Sequence, residues 1–477
     1  MPSILIRSRG VIDHHGDLIG DSLLVEDEVV RGLGKAPGYV TEIRLDGYIL
    51  PGFVDAHLHV KGLGTSLYGA DLRWARSPEE VAERLAAVKG PLAVGRGWDQ
   101  EAFENPKLPD RRLLDKYVPD RPAVAIRVCG HLAVLNTRAL EEVEPWRLYP
   151  SHVDRESGIL VEDAVYYAVN KLLDKLDNKE LVKLGLESLH SAGVVGASSM
   201  ACSDSEIKSL YSIARSSGLP VRIACYANKE NYKSHLGLEA PRFKVVGVKL
   251  FSDGSFGART AALRDDYEDD SGNRGRLLLT SRDIAEIGSY ALKAGYRIAV
   301  HAIGDRALDE VIEAYNRISP GAKGRVEHAS MAWDSQVEEL ASLGVYVVVQ
   351  PRFRVSDWWL AQRLGGRVGL AYRFKTMLDR GVRLALSTDA PVEDHRPWST
   401  MLAAIGDCGA RRCGIGEDLS PRDAIRLYTI EAARASGGPV AALGRIEPGA
   451  PGELAWSPGD PRERGWKGPV RPLDLAR

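Results

Sequence analysis

The chain has 477 residues, enough for a large core and about two or three domains. Hydrophobic residues make up 44% and charged residues 27%, and the formal net charge of −2 gives no electrostatic reason to expect a nucleic acid or an anionic membrane as partner. The chain does not open on a long apolar segment, and its five cysteines form no CxxC pair. We therefore expect a cytoplasmic protein.

Both ends of the chain have the composition of short strands and turns. Residues 1–50 alternate apolar runs such as SILIRS and SLLVED with Gly, Asp and His turns, and the segment ALGRIEPGAPGELAW near the other end has the same character. We predict that residues 1–50 and 440–477 pair into a small β-sandwich.

The central part of the chain alternates apolar runs with helical patterns. Helix signals include DSEIKSLYSIARSSG and SRDIAEIGSYALKAG, which closes on a glycine. Fully apolar strands that alternate with helices indicate a parallel sheet, and eight such units favour a (β/α)8 barrel, the TIM-like α/β fold, over residues 51–60 plus 191–439. A doubly wound open sheet is the alternative, although no GxGxxG follows an early strand. The eight runs are 51–59, 194–200, 220–226, 245–251, 296–301, 325–328, 345–351 and 382–389.

The connection between the first two runs is too long for a simple crossover. Residues 61–190 contain a helix signal, SPEEVAERLAAVK, in which Ser77 and Glu80 have capping-box spacing, and two strand-like segments, LAVGRGW and PAVAIRV. We predict a large insertion after the first barrel strand, folded as a subdomain over the mouth of the barrel.

Histidines and carboxylates end several of the predicted strands. His57 and His59 are two residues apart, so they share one face of a strand, and at the carboxyl end of a barrel strand that face looks into the mouth. A lone HxH is more often structural, but other runs end in the same way. Imidazole and carboxylate groups suit Zn²⁺ and related divalent ions, so the sequence predicts a metal site. The further candidate ligands are Lys249, His301, His328 and Asp389.

The motifs around these residues resemble the amidohydrolase superfamily and, more narrowly, its YtcJ-like branch, which includes N-substituted formamide deformylases. The motifs are GRGWDQ, VCGHLAVLNTRAL, GILVED, KLFSDGSFGART, HAIGDRALDEV, RVEHAS and STDAPVE. The resemblance implies a barrel flanked by a small β-sandwich, and hydrolysis of a C–N bond in an amide, formamide or related acyl nitrogen compound.

The resemblance also implies a binuclear centre, with one or two divalent ions per chain and zinc as the leading candidate. His57, His59 and Asp389 would hold one ion and His301 and His328 the other, with a carboxylated Lys249 between them. Burial lowers the pKa of a lysine and makes available the neutral amine that reacts with CO₂. The alternatives are that Lys249 pairs with Asp253 or Glu162, or that Glu162 itself supplies the bridging carboxylate.

A metal-bound hydroxide would attack the substrate carbonyl, and Asp389 would act as the general base that passes its proton to the leaving nitrogen. His131, in the insertion, is the second candidate catalytic residue: it either contacts the tetrahedral oxyanion and substrate or is a capped structural histidine. Ester or lactone hydrolysis and isomerisation use the same polarised carbonyl and stay open, as does an idle regulatory scaffold.

Further polar motif residues are candidates for contact with a small-molecule substrate. Trp98 and Glu162 are candidates for this contact, and Asp99, after Trp98, either binds a substrate amine or is a turn carboxylate. Asp253 and Arg259 follow the lysine strand and either recognise substrate or pair internally. Gln350 ends the seventh run and is predicted to line the pocket, whereas the aromatic segment SDWWLAQR is predicted to be an amphipathic helix or an apolar wall. A homodimer is the base-rate expectation.

Overall fold

A barrel of eight parallel strands forms from the eight predicted apolar runs, so the predicted fold class is confirmed. In the computed structural model, each barrel strand pairs in parallel with the next one along the chain. A two-residue strand, β15 (Glu239–Ala240), adds an antiparallel edge to the fourth barrel strand. The barrel strands are β6 (Phe53–Leu58), β13 (Val194–Cys202), β14 (Arg222–Ala227), β16 (Phe243–Phe251), β17 (Arg297–Ala302), β18 (Gly324–His328), β19 (Tyr346–Val349) and β20 (Arg383–Leu386).

The strands of the two chain ends form one seven-stranded sheet with a core of its own. Its central strand, β1, pairs antiparallel with β2 and parallel with both β4 and β5, and β21 joins β5 with Leu454 opposite Pro51. Ile6, Val11 and Leu23 are buried in the core of this sheet. The strands are β1 (Ile4–Ile12), β2 (Leu18–Glu26), β3 (Val29–Leu33), β4 (Thr41–Arg44), β5 (Tyr48–Pro51), β21 (Leu454–Ser457) and β22 (Arg471–Leu473).

Contacts divide the chain into two units, one formed by Met1–His59 with Leu186–Arg477 and the other by Val60–Gly185. The second unit contains a six-stranded sheet in the order β11, β12, β10, β9, β8 and β7, with a buried core of its own. The predicted cap at Ser77 is confirmed, since its hydroxyl accepts from Glu80 N at 3.1 Å. The strands are β7 (Ala70–Asp71), β8 (Ala93–Trp98), β9 (Ala123–Arg127), β10 (Leu132–Leu135), β11 (Val153–Asp154) and β12 (Ile159–Val161).

The helices occupy the segments between strands, as the sequence pattern predicts. They are α1 (Val60–Tyr68), α2 (Pro78–Ala87), α3 (Arg111–Tyr117), α4 (Thr137–Val143), α5 (Asp163–Leu173), α6 (Asn178–Ser191), α7 (Asp204–Ser216), α8 (Ser281–Lys293), α9 (Asp305–Ile318), α10 (Asp334–Leu343), α11 (Phe353–Ser356), α12 (Leu360–Leu364), α13 (Phe374–Asp379), α14 (Pro397–Ala404), α15 (Pro421–Leu427) and α16 (Ile430–Ser436). Short 3-10 turns are Gln100–Ala102, Pro145–Arg147, Pro150–His152, Tyr232–His235, Gly321–Lys323, Gly365–Leu370 and Gly438–Val440.

The structure describes residues 3–34, 40–105, 107–127, 132–161, 163–173, 175–408, 416–463, 465–466 and 468–473. Within these ranges, no helix is both long and apolar enough to cross a membrane.

The first and last barrel strands meet at a seam just beyond their carboxyl ends. Asp389 N donates to His57 O and His59 N donates to Ala390 O, both at 2.8 Å. The buried Asp55 carboxylate fastens the same two segments together: it accepts from His57 N at 3.1 Å and from both the backbone N and the hydroxyl of Thr388 at 3.2 and 2.7 Å. The seam therefore fixes the position of Asp389 relative to the two histidines of HxH.

Replacing Asp55 by alanine should destabilise the barrel. The change leaves two buried backbone N–H groups and the hydroxyls of Thr388 and Tyr428 without their common acceptor, so we expect the free energy of unfolding in urea to fall by about 2 kcal/mol or more. Asp46→Ala, at a carboxylate that is 83% exposed, is the control and should change little. Equal stabilities of the two variants would contradict a structural role for the seam carboxylate.

Candidate metal centre

Histidines and an aspartate from four barrel strands converge at the carboxyl end of the barrel. His57, His328 and Asp389 each offer a ligand atom, and these atoms all lie within 4.8 Å of one another. Asp389 Oδ1 is 3.3 Å from His57 Nε2 and 3.2 Å from His59 Nε2. The His301 ring centroid is 4.6 Å from that of His328, which in turn is 5.0 Å from that of His57.

The spacing of these donors fits a tetrahedral divalent ion. With Zn–N and Zn–O distances of about 2.0–2.1 Å, two ligand atoms on one tetrahedral edge lie about 3.3–3.4 Å apart. The two separations from Asp389 Oδ1 to imidazole nitrogens agree with this edge length. The most compact group takes ligands from β6, β18 and the end of β20.

Each of the four histidines has one ring nitrogen fixed by a protein acceptor, which leaves the other nitrogen as a candidate ligand. A hydrogen bond of this kind sets the tautomer and orientation of a metal-binding imidazole. Nδ1 is the fixed nitrogen in three of the rings and Nε2 in the fourth. The contacts are His57 Nδ1 to Glu327 Oε2 at 2.6 Å, His59 Nδ1 to Met200 O at 3.0 Å, His328 Nδ1 to Gln350 Oε1 at 2.7 Å and His301 Nε2 to Gly254 O at 2.9 Å.

A buried ion pair supports His57 from below. Arg325 donates from Nε and Nη2 to the two oxygens of Glu327 at 2.8 and 3.0 Å, and both side chains are fully buried. Arg325 Nη2 also donates to Ala56 O at 2.6 Å, and its guanidinium lies over the Tyr226 ring. The guanidinium compensates the carboxylate charge, so Glu327 can accept from His57 without burying an isolated charge.

Sequence reasoning missed both members of this pair, although RVEH carried the signal. Arg325 and Glu327 stand at alternate positions of a strand predicted to be buried on both faces, and charges are rarely buried there unless they are paired.

The electrostatics of His57, His328 and Asp389 favour the protonation states that bind metal. Burial lowers the pKa of His57 and of His328 well below the usual value, so both rings are neutral at pH 7. Burial also acts to raise the pKa of Asp389, but the adjacent histidines outweigh it and hold that pKa well below its usual range. For His59, the bond to Asp389 outweighs burial and raises the pKa.

Lys249 lies at the same end of the barrel and is 1% exposed. Burial lowers its pKa to about 8, against the opposing effect of Glu327. Among the described residues, its Nζ atom has no hydrogen-bond partner. A buried amine without a hydrogen-bond partner is better suited to bind a metal or to form a carbamate than to remain a permanent cation.

Left-handed backbone occurs at two of the candidate ligands. φ is 75° at His328 and 59° at Asp389, a conformation that side chains other than glycine rarely adopt. Consecutive residues of a strand normally face opposite sides, yet Glu327 and His328 both contact His57. The turn at His328 makes this double contact geometrically feasible.

The residues predicted on the loop after β16 have internal partners. Asp253 is fully buried and accepts from the backbone N–H groups of Ala262, Ile303 and Gly304 at 2.8–3.0 Å, so it joins two loops beside His301. Arg259 forms two hydrogen bonds with Asp269, at 3.0 and 2.9 Å. Asp253 thus accepts from backbone N–H groups, whereas Arg259 pairs with a carboxylate of the chain.

The other predicted contacts are placed as follows. Gln350 is buried, and its amide group is divided between His328 and Ser387, so it braces a ligand histidine. Trp98 has no exposed surface and lies in the core of the second unit, stacked on Phe103. Asp99, in the same unit, pairs with Arg127 at 2.7 Å. His131 and Glu162 lie outside the described residues.

Comparison with known proteins agrees with this geometry. The sequence pattern of the Amidohydrolase family matches residues 46–464. The putative amidohydrolase YtcJ of Bacillus subtilis (strain 168) is 27% identical over 454 residues, which cover 86% of this chain and 85% of YtcJ. The N-substituted formamide deformylase of Arthrobacter pascens is 25% identical over 465 residues, with 86% and 83% of the two chains covered.

Solved structures extend the similarity to the whole fold. An uncharacterized metal-dependent hydrolase from Pyrococcus horikoshii OT3 matches with a TM-score of 0.86 at 30% identity, covering 98% of this chain and all of that one. A second from Pyrococcus furiosus matches with a TM-score of 0.85 at 32% identity, covering 97% of this chain and all of that one. Fold and site thus define a TIM-barrel protein with the side chains of a metal centre. The chain belongs to the amidohydrolase family, which confirms the resemblance predicted from its motifs.

Replacing Glu327 by glutamine should weaken metal binding. The amide cannot both accept from His57 Nδ1 and neutralise Arg325, and loss of a carboxylate that orients a ligand histidine typically costs about 10–100-fold in metal affinity. Competition with a zinc chelator would measure the dissociation constant, and circular dichroism would verify folding. Glu338→Gln, at an exposed ion pair, is the matched control. An affinity unchanged within about twofold would mean that Glu327 serves stability alone.

Proposed function

We propose that the protein is a metal-dependent hydrolase that cleaves the C–N bond of an amide, formamide or related acyl nitrogen compound. The observation that carries the proposal is the convergence of His57, His328 and Asp389 within 4.8 Å, with His59 and His301 beside them. Similarity to an amidohydrolase, a formamide deformylase and metal-dependent hydrolases supports the same reaction class.

Donor chemistry supports a divalent ion, with zinc as the first candidate, because four imidazoles and one carboxylate are available. When bound, such an ion supplies Lewis acidity to the substrate carbonyl and lowers the pKa of the attacking water. The chain's own contribution is to keep these side chains in a fixed orientation. Glu327 and Gln350 hold two of the rings by their Nδ1 atoms.

Asp389 is the group proposed to move the proton. It is ionised at neutral pH, since the histidines around it lower its pKa, and an ionised carboxylate accepts the proton that the attacking water loses. The same carboxyl group then delivers the proton to the leaving nitrogen, without which an amine is a poor leaving group. An amine leaving group depends on this second proton transfer more than the alcohol leaving group of an ester does. The transfer therefore favours C–N cleavage at this site.

We also propose that Lys249 is carboxylated and joins two ions. With its pKa at about 8, about a tenth of the Lys249 amine is neutral at pH 7, and only the neutral amine adds CO₂. The lack of a hydrogen-bond partner for Nζ among the described residues supports this proposal.

The first experiment is removal and return of the metal with a panel of acyl amides, formamides and aryl esters. We expect dialysis against a chelator to abolish amide hydrolysis and zinc or manganese to restore it. Asp389→Asn should lower kcat for amides about 10²–10⁴-fold, because the proton shuttle is lost, while Asp379→Asn on an exposed helix should not. Hydrolysis of esters alone would redirect the assignment to an esterase, and chelator-resistant amide hydrolysis would contradict it altogether.

The second experiment tests Lys249 by ¹³C NMR with labelled bicarbonate and by metal content per chain. The carbamate signal should grow as pH rises through about 8, since the neutral amine fraction rises with pH. Lys249→Ala should abolish the signal and reduce the metal content from about two ions toward one. Lys244→Ala, on the same strand but paired with Glu239, should retain both. A content of one ion that does not depend on Lys249 would remove the carbamate from the mechanism.

A further inference from the structure

Phe251 places an aromatic ring directly beside the candidate metal centre. It is the last residue of β16, two positions after Lys249, and its backbone is the register partner of His301 on β17. The Phe251 ring centroid lies 5.4 Å from that of His301 and 5.0 Å from Lys249 Nζ. Residues two apart on a strand share a face, so the ring stands above the lysine toward the mouth of the barrel.

A second aromatic ring lies beside the cluster, in the segment that follows β19. Phe353 opens α11, three residues after Gln350, and its ring centroid is 6.3 Å from that of His328. The two phenylalanines therefore lie at the end of β16 and shortly after β19, and each contacts a different one of the two adjacent histidine rings.

Apolar surface stays exposed at this end of the barrel. Phe251 is 41% exposed, although large apolar side chains on barrel strands are normally buried. Leu278, held beside the end of β16 by a hydrogen bond from its backbone N–H to Ser252 O at 2.8 Å, is also exposed. Val392, whose backbone N–H donates to Asp389 O, is exposed on the loop after β20. Exposed apolar side chains around a polar cluster are typical of a site for small molecules.

We infer that Phe251, with Phe353, forms a specificity-determining surface that selects substrates carrying an aromatic or other large apolar group next to the acyl nitrogen bond. The inference rests on the proposed function and adds the substrate class. The Phe251 ring already lies against His301 and Lys249, and its remaining exposed area is what the apolar group of a substrate would cover. Small hydrophilic amides gain nothing from this surface.

The competing interpretation is that Phe251 only covers Lys249 and its ring has no contact with ligands. A ring with that role alone would influence the lysine and not the choice between ligands. The two interpretations therefore differ in their effect on a ratio of affinities for ligands with the same metal-binding group.

The test uses zinc-loaded, full-length protein and two hydroxamic acids, titrated by calorimetry. Acetohydroxamate and benzohydroxamate carry the same chelating acyl nitrogen group and differ in a methyl against a phenyl. We expect benzohydroxamate to bind about tenfold more tightly or more to the wild-type protein. In Phe251→Ala this ratio should fall to about twofold, whereas Leu18→Ala, at an exposed apolar residue of the terminal sheet, should keep the wild-type ratio.

The outcomes separate the two proposals. A ratio near one in the wild type, or an unchanged ratio in Phe251→Ala, would overturn the specificity surface while the metal centre stands. If neither hydroxamate binds the zinc-loaded protein, the metal centre fails and the inference fails with it. Should Phe251→Ala not fold, Phe251→Leu, which keeps apolar volume without the ring, replaces it; a reduced ratio supports the inference and an unchanged one contradicts it.

Discussion

The meeting of the first and last barrel strands is the constraint from which the rest of the site follows. His57 and Asp389 are more than 300 residues apart in the chain, and only closure of the barrel brings them together. Two backbone hydrogen bonds and the buried Asp55 carboxylate fix that closure within two residues of the candidate ligands. A site built on such a seam shares its stability with the barrel, because any displacement that separates the strands also separates the ligands. In return, the ligands need no loop rearrangement to reach one another.

The barrel interior below the cluster is charged as well as apolar. Arg325 and Glu327 are completely buried, and the pair makes four hydrogen bonds in addition to its own, including those to His57 Nδ1 and Ala56 O, and one cation–π contact with Tyr226. A hydrophobic pair of similar volume would serve packing equally well or better. The retention of charge at this depth is explained by orientation: a carboxylate fixes the His57 tautomer, and the guanidinium pairs with that carboxylate so that its charge is not isolated. Arg325 and Glu327 thus serve to orient His57.

Features of the fold and of the site could be predicted where they depend on local sequence, and could not be predicted where they depend on contacts between distant residues. The eight strands and the residues at their carboxyl ends could be predicted, because apolar runs and chain order suffice for a parallel barrel, and side chains such as His301 lie where such strands open to solvent. The hydrogen-bond partner of each histidine ring could not be predicted. Glu327 and Gln350 reach the histidines because of strand register and a left-handed backbone conformation at His328, which the sequence does not indicate. Trp98 illustrates the opposite case. It stands next to Asp99 in a motif considered for substrate contact, but its ring packs in the core of the second unit.

The terminal sheet has a consequence for the order in which the protein is made. Pro51 pairs with Leu454, so strands about 400 residues apart are neighbours. During synthesis β5 leaves the ribosome about 400 residues before its partner β21, and the first barrel strand leaves it more than 300 residues before the eighth. Contacts of such long sequence separation slow folding and leave strand edges unpaired in the meantime. The barrel of a nascent chain therefore stays open until β20 has been made, and a centre that depends on closure forms only after that strand.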